Sequence, residues 1–315
     1  MNTPESAKSA RPKVAILGAT GMIGSAIYGA LLDQCDLVVV YRSADKLAEL
    51  YQRYGRHTDN TEVQIDLVTL YSEYVSGFQG QVFGERTKQL VDQLAGCDWV
   101  INAAGITKPI ANHQPEHTWF INGALPHILA AAFHTQLIHI TTDCVFDGSA
   151  GAPYDEASAQ RPTDLYGLSK AVGEPTTALV IRTSTIGPEL GTHYGLLEWF
   201  LSQPGSVTGF TNHFWNGLTA GELGQVCRKL VTGEVSHPGA GTYHIFSDAI
   251  TKHDLLVKLR NRYDVPTIIN PQAVMPGVDR RLTSRHNFCA QLQIPSLDAM
   301  VAGLPEINRE VLSVE

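Results

Sequence analysis

Lys13-Val14-Ala15-Ile16-Leu17-Gly18-Ala19-Thr20-Gly21-Met22-Ile23-Gly24 decides the fold of this chain. A short β-rich run enters a glycine-rich turn, and a helical pattern follows to about Gln34. A strand, a glycine turn and a helix in that order set backbone amides and a helix N-terminus against a pyrophosphate. Gly18, Thr20, Gly21, Met22, Ile23 and Gly24 are therefore the candidate dinucleotide contacts of this turn. The plainer alternative is a turn that only packs a helix onto a strand.

Leu37-Val38-Val39-Val40-Tyr41 reads as the second buried strand. In a dinucleotide fold its C-terminal end faces the adenosine ribose, where an acidic residue favours NAD. Here the end carries Arg42-Ser43, which suits a 2′-phosphate. NADP, as NADPH, is the expected coenzyme, with NAD as the alternative. Glu62 to Leu67 reads as a third strand, ending in Asp66 and Leu67, the positions at which related enzymes touch the adenine. Asp98 to Gly105 reads as a fourth, and its small residues Ala103, Ala104 and Gly105 let a coenzyme lie close to the backbone. Between these two strands, residues 68–84 form an extra element of unassigned role, and a helix is expected from Glu85 to Leu94.

A helix carrying Asn122 is expected from about Pro115 to His134. The strand Leu137 to Ile140 then leads to Thr141-Thr142-Asp143-Cys144, and Ala178 to Thr183 forms another buried strand. Alternating strands and helices imply an α/β fold, a Rossmann-type doubly wound parallel sheet. Beyond Pro188 the pattern loosens. Helices are expected at 194–201, 219–230 and 253–260, a glycine- and aromatic-rich loop through Trp215, and a strand at 241–246. The tail from Pro266 reads as short helices and loops. The expected organisation is a loose leader at 1–12, a dinucleotide-binding domain at 13–187 with a returning contribution near 241–262, and a smaller substrate-binding lid over most of 188–315.

Tyr166 and Lys170 stand four residues apart, so on a helix they share one face. A nearby ammonium is expected to stabilise the phenolate and lower the tyrosine pKa from its usual ~10. Such a tyrosine can pass a proton in a carbonyl–alcohol interconversion. Thr142, at the end of the preceding apolar run, is placed to hydrogen-bond the same oxygen.

Thirty-one acidic against 23 basic residues give a net charge of −8, which argues against a nucleic-acid or anionic-membrane surface. No apolar stretch approaches the ~20 residues of a membrane span. The five cysteines are scattered without Cys-x-x-Cys spacing, which suits free thiols in a reducing compartment rather than zinc ligands. The protein reads as cytoplasmic, with no metal site.

Taken together, Gly18-x-x-Gly21-x-x-Gly24, Asp66-Leu67, Asn102 to Gly105, Thr142-Asp143 with Val145 to Gly148, Tyr166-x-x-x-Lys170 with Gly173-Glu174, Arg182 to Ser184 and Gly241-x-Tyr243-His244-Ile245 resemble an extended short-chain dehydrogenase/reductase of the dTDP-4-dehydrorhamnose reductase-like group. The resemblance spans most of the chain and thins after about residue 187. It implies NAD(P)H-dependent reduction of a nucleotide-linked 4-keto-6-deoxy sugar. Tyr166 would give the proton to the 4-oxygen, Thr142 would hydrogen-bond it, and Lys170 would hold the nicotinamide ribose and keep Tyr166 acidic. Thr107, Asp143, Cys144, His193 and Arg280 are the candidate substrate contacts, with a homodimer as the candidate assembly.

One departure opens a second reading. The group usually has tyrosine where Cys144 stands, and in GDP-fucose synthase a cysteine at this position works with a later histidine to epimerise C3 and C5. Cys144 with His193 would make the protein an epimerase or epimerase-reductase, although a buried structural cysteine is the simpler account. A third reading, a non-catalytic NADP-binding regulatory subunit, leaves Thr142, Tyr166 and Lys170 without a purpose.

Overall fold

A computed structural model describes residues 11–76, 84–149, 151–191 and 194–307. β1 (Lys13–Leu17) leads through the glycine turn into α1 (Met22–Leu31), and β2 (Asp36–Tyr41) into α2 (Ala44–Tyr54). β3 (Thr61–Gln64) is followed by α3 (Leu70–Ser76), α4 (Glu85–Leu94) and β4 (Trp99–Asn102). Two single-turn helices, α5 (Lys108–Ala111) and α6 (Pro115–Thr118), precede a π-helical turn at Trp119–Ala124 and α7 (Leu125–Phe133). β5 (Leu137–Thr142), α8 (Leu165–Val172) and β6 (Leu179–Thr183) complete the first half. β7 (Thr185–Ile186), α9 (Leu196–Leu201), β8 (Ser206–Phe210), β9 (His213–Trp215), β10 (Leu218–Thr219) and α10 (Ala220–Val231) lead to β11 (Gly241–His244). β12 (Ile250–Thr251), α11 (Lys252–Tyr263), β13 (Ile268–Gln272) and β14 (Val278–Asp279) follow.

The main sheet has seven parallel strands in the order β11-β6-β5-β4-β1-β2-β3. Its central strands are buried at nearly every position because helices cover both faces. Alternate residues of β1 divide between the two cores. Val14 and Ile16 pack on the side of α1 and α10, and Ala15 and Leu17 on the side of α4 and α7. Strand order reverses between β1 and β4, so their C-terminal ends open a crevice at Gly18 and Ala103, where ligands bind in such sheets.

The second half differs from expectation in two ways. The stretch read as a loop through Trp215, and part of the tail read as helices and loops, contain short strands. β9 lies between β12 and β14 in one small sheet, and β8 pairs with β13 in another. Their two to five residues, with Gly209 and Pro271 among them, are too few and too irregular to show a period of two. The other difference concerns α10, which packs along α1 so closely that a Cβ on Gly224 would stand 2.7 Å from the Ala26 carbonyl oxygen. Residues 220–231 thus belong to the layer of the dinucleotide-binding half. Of the leader, residues 1–10 lie outside the described residues, whereas Arg11 donates to the carbonyls of Leu32 and Cys35 at 2.9 Å each. Within 68–84, α3 is a helix and 77–83 lie outside the described residues.

Candidate active site

Gly18 follows β1 with φ +74°, a conformation side chains rarely adopt, and a Cβ there would stand 2.8 Å from the Cα of Ala104. Gly24 is closer still, since its Cβ would lie 2.1 Å from the Gly18 carbonyl oxygen. The glycines therefore let strand, turn and helix touch. Gly21 caps α1 with extended backbone and no side-chain bond, so the first amides of the helix, those of Met22 and Ile23 among them, have no partner within the helix. That groove is lined by Gly18, Thr20, Gly21, Arg42, Ser43 and Lys46 on one side. Asp66, Leu67, Ala103, Ala104 and Gly105 line it on the other.

Arg42 leaves the end of β2, and the Ser43 hydroxyl caps α2 by accepting from the Lys46 amide at 3.4 Å. Burial lowers the Lys46 pKa, and the positive charge of Arg42 lowers it further. Two cations beside a helix N-terminus are the chemistry that would hold a doubly charged phosphate. Lys46 escaped the sequence reading, although Ser43-x-x-Lys46, a helix cap with a cation in its first turn, was its signal. Asp66 accepts from the Val68 amide at 3.2 Å, which ends β3 and turns the chain across the groove. The donor set, the bare helix amides and the turn a Cβ would fill together fit a dinucleotide.

Thr142 ends β5, its hydroxyl accepting from the Cys144 amide at 3.1 Å and donating to Asp143 at 3.3 Å. α8 starts at Asp164, whose carboxylate accepts from the Gly167 amide at 2.8 Å and pairs with Lys108 at 2.6 Å. It packs directly on the Thr142 turn, because a Cβ on Gly167 would lie 2.3 Å from the Cys144 carbonyl oxygen. That contact brings the Tyr166 hydroxyl beside the Thr142 side chain, close enough for Thr142 to favour the phenolate. Lys170, one turn on and 6% exposed, donates from Nζ to the Ile140 carbonyl at 3.4 Å. Asn122, in the π-helical turn, clamps this corner. It exchanges bonds with both the amide and the carbonyl of Ile106, at 2.8 and 2.9 Å, and donates to Ser169 at 3.2 Å. Gly105 thereby faces Lys170 across 3.1 Å, measured from where a Cβ would be to Nζ.

The electrostatics correct one expectation. Tyr166 is not made acidic: burial raises its pKa, Cys144 raises it further, and the Thr142 hydrogen bond only partly offsets them. Burial also pushes Lys170 down to about 8, with Glu174 holding it up. A helical spacing says how two side chains meet and nothing about how deeply they are covered, and here desolvation is the larger effect. Burial, then the charge of Asp143, pushes the Cys144 thiol up to about 11. Asp143 is itself raised by burial, against the pull of Arg280 and Lys252.

The remaining candidates divide. Arg280 donates from Nε to the Phe146 carbonyl at 2.9 Å, beside the Thr142 turn. Arg281 instead pairs with Asp279 at 2.6 Å and lies over Phe214. Thr107 is exposed just ahead of α5, and its side chain makes no cap bond. His193 lies outside the described residues. Among the described residues no cluster of three metal-binding side chains occurs, and no helix is long and apolar enough to cross a membrane.

A family model described as the RmlD substrate binding domain matches residues 12–276. A probable low-salt glycan biosynthesis reductase of Haloferax volcanii is 26% identical over 292 residues, covering 87% of this chain and 88% of that protein. The dTDP-4-dehydrorhamnose reductase of Salmonella typhimurium is 26% identical over 170 residues, which is 50% of this chain and 57% of the relative. In the solved dTDP-4-dehydrorhamnose reductase of Bacillus anthracis with NADP, the fold matches with a TM-score of 0.66 at 18% identity, over 92% of this chain and 97% of that one. A UDP-N-acetylglucosamine 4-epimerase of Methanobrevibacter ruminantium matches with a TM-score of 0.70 at 14% identity, over 93% and 96%. These two likenesses establish the shared fold.

Proposed function

Because the chain belongs to the RmlD substrate binding domain family, we propose that it is an NADPH-dependent reductase of a nucleotide-linked 4-keto-6-deoxy sugar. The names of its Salmonella and Haloferax relatives, both reductases, support this reading. The observation that carries it is the meeting of Thr142, Tyr166 and Lys170 at the open end of β5, beside a groove shaped for a dinucleotide.

Arg42, Ser43 and Lys46 would hold the 2′-phosphate, the α1 amides the pyrophosphate, and Lys170 the nicotinamide ribose. When bound, the reduced nicotinamide supplies a hydride to the sugar C4. As that carbon becomes tetrahedral its oxygen gains charge, and the Tyr166 hydroxyl gives it a proton to form the alcohol. A raised pKa suits this role in one respect, because it keeps the phenol protonated, and an alkoxide is a far stronger base than a phenolate. Thr142 stabilises the same oxygen, and the Lys170 ammonium offsets the phenolate that remains. The epimerase reading gains less support, because burial keeps the Cys144 thiol protonated at neutral pH, whereas abstracting a proton from carbon needs the thiolate.

Tyr166→Phe tests the assignment directly. Turnover of a 4-keto-6-deoxy sugar nucleotide, followed as NADPH oxidation, is expected to fall by about a hundredfold or more, while NADPH affinity changes by less than about threefold. Unchanged turnover would remove Tyr166 as the proton donor.

A further inference from the structure

Arg182, near the end of β6, is buried, and each of its guanidinium nitrogens has a partner. Nε donates to Glu174 at 3.0 Å, Nη2 to the other oxygen of the same carboxylate, and Nη1 to Nε2 of His244 at 2.7 Å. The cation also lies 5.2 Å from the Phe146 ring centroid. A guanidinium can only donate and does not lose its proton, so the His244 nitrogen facing it must accept. The buried His244 ring, on β11, is therefore neutral, with its one proton on Nδ1. From there Nδ1 donates to the carbonyl oxygens of Thr283 at 2.8 Å and Tyr154 at 3.1 Å. Partners on both sides of the ring select the same tautomer.

The two carbonyls belong to a seam between the main sheet and the second half. The Tyr154 amide donates to the Arg281 carbonyl and the Thr283 amide to the Tyr154 carbonyl, at 2.8 Å each. Glu156 closes the same seam, accepting from the His244 amide at 2.9 Å, the Ser284 hydroxyl at 2.6 Å and the Arg285 amide at 2.8 Å. On its other side Leu282 exchanges bonds with Asn216 at 2.8 and 2.9 Å, so the strip 281–285 is shared between the halves. Just before it, Arg280 reaches the Phe146 carbonyl beside the Thr142 turn. The charged groups facing His244 are Arg182 from β6, with Glu174 behind it, and Glu156 from the loop. Asp155 pairs with Arg285 at the outer end of the strip, and His286 lies exposed beside Tyr243.

We infer that His244 is a proton-sensitive pin. As a neutral ring it ties the strip 281–285 to the main sheet and so keeps Arg280 on the Thr142 turn. As an imidazolium it can no longer accept from Arg182, two buried cations face each other across 2.7 Å, and the strip parts from the sheet. Burial and then the Arg182 charge hold the ring's pKa below its usual value, against an opposite pull from Glu156. A ring that takes up a proton once freed binds more protons in the open form. Opening is therefore favoured as pH falls below the ~6.5 of a free imidazole, by about tenfold at pH 5.5. The pin governs the order of the site and does not depend on what the chain reduces.

Hydrogen–deuterium exchange of the full chain, read by mass spectrometry at pH 7.5 and 5.5, tests this without turnover. Protection is taken relative to the unfolded chain at the same pH, in peptides that carry the amides of Tyr154 and Thr283. In the unmodified chain their protection is expected to fall about tenfold between the two values, with peptides of β1 and β4 little changed. His244→Asn keeps a donor where Nδ1 stands and has no site for an added proton, so its fall should stay within about twofold. Glu156, Asp155 and His286 remain in that variant, so the difference belongs to His244. His244→Gln, whose amide reaches the Nε2 position, takes its place should His244→Asn not fold. An equal fall in the unmodified chain and the variant would overturn the inference. So would unchanged protection in the unmodified chain, or a loss shared equally by β1 and β4.

Discussion

Burial holds the Lys170 ammonium near the edge of its stability, with a pKa of about 8. An unfolded lysine keeps its proton to ~10.4. Between those values the unfolded chain binds more protons than the folded one, so stability rises with pH across that window. Below about pH 8 the full penalty is present. Lys170→Met should therefore stabilise the fold at pH 7, by something on the order of 1–3 kcal/mol, and that gain should fade as the pH approaches ~10.4. Thermal melts at the two pH values check this, and a variant less stable at pH 7 would contradict it. The same titration should make kcat/KM of the unmodified chain fall as pH rises past about 8, since a neutral amine cannot offset a phenolate. The pairing of Tyr166 with Lys170 is legible in their spacing, but their charge states are not, because helical period carries no information on depth.

At the scale of elements, each strand end delivers one part of the site. The ends of β1 and β4 form the glycine-lined crevice, the end of β5 brings Thr142, and the end of β2 with the start of α2 brings Arg42 and Lys46. If the last of these binds a 2′-phosphate, Arg42→Ala should raise the NADPH dissociation constant about tenfold or more and leave NADH nearly unchanged. Fluorescence titration with both coenzymes measures this, and equal losses would refute the assignment. These elements are readable in the sequence because a buried parallel strand is a continuous apolar run and a close strand–helix contact demands glycine. β9, β12 and β14 are not, since a strand of two or three residues has no period. Lys252 and His213 become neighbours only through pairing between segments about 40 residues apart, which no local pattern records.

Across the whole molecule, the crevice of the main sheet and the face of the small sheet meet over the Thr142–Cys144 turn. The Phe146–Arg280 contact and the parallel bridge between Tyr154 and Leu282 hold them there. The chain returns to the main sheet through β11, and α10 packs against α1, so the second half is built into the first rather than hinged upon it. The proposed substrate brings a reducible carbonyl to Tyr166. The central claim is that this carbonyl receives hydride while Tyr166 supplies the proton. It is tested most directly by incubating the chain with a 4-keto-6-deoxy sugar nucleotide and NADPH deuterated at the nicotinamide C4, on either face, and locating the label by mass spectrometry. One deuterium at the sugar C4 is expected with the unmodified chain, and about a hundredfold slower labelling with Tyr166→Phe. Solvent-derived hydrogen at C3 or C5, with no label at C4 and no coenzyme oxidised, would contradict it.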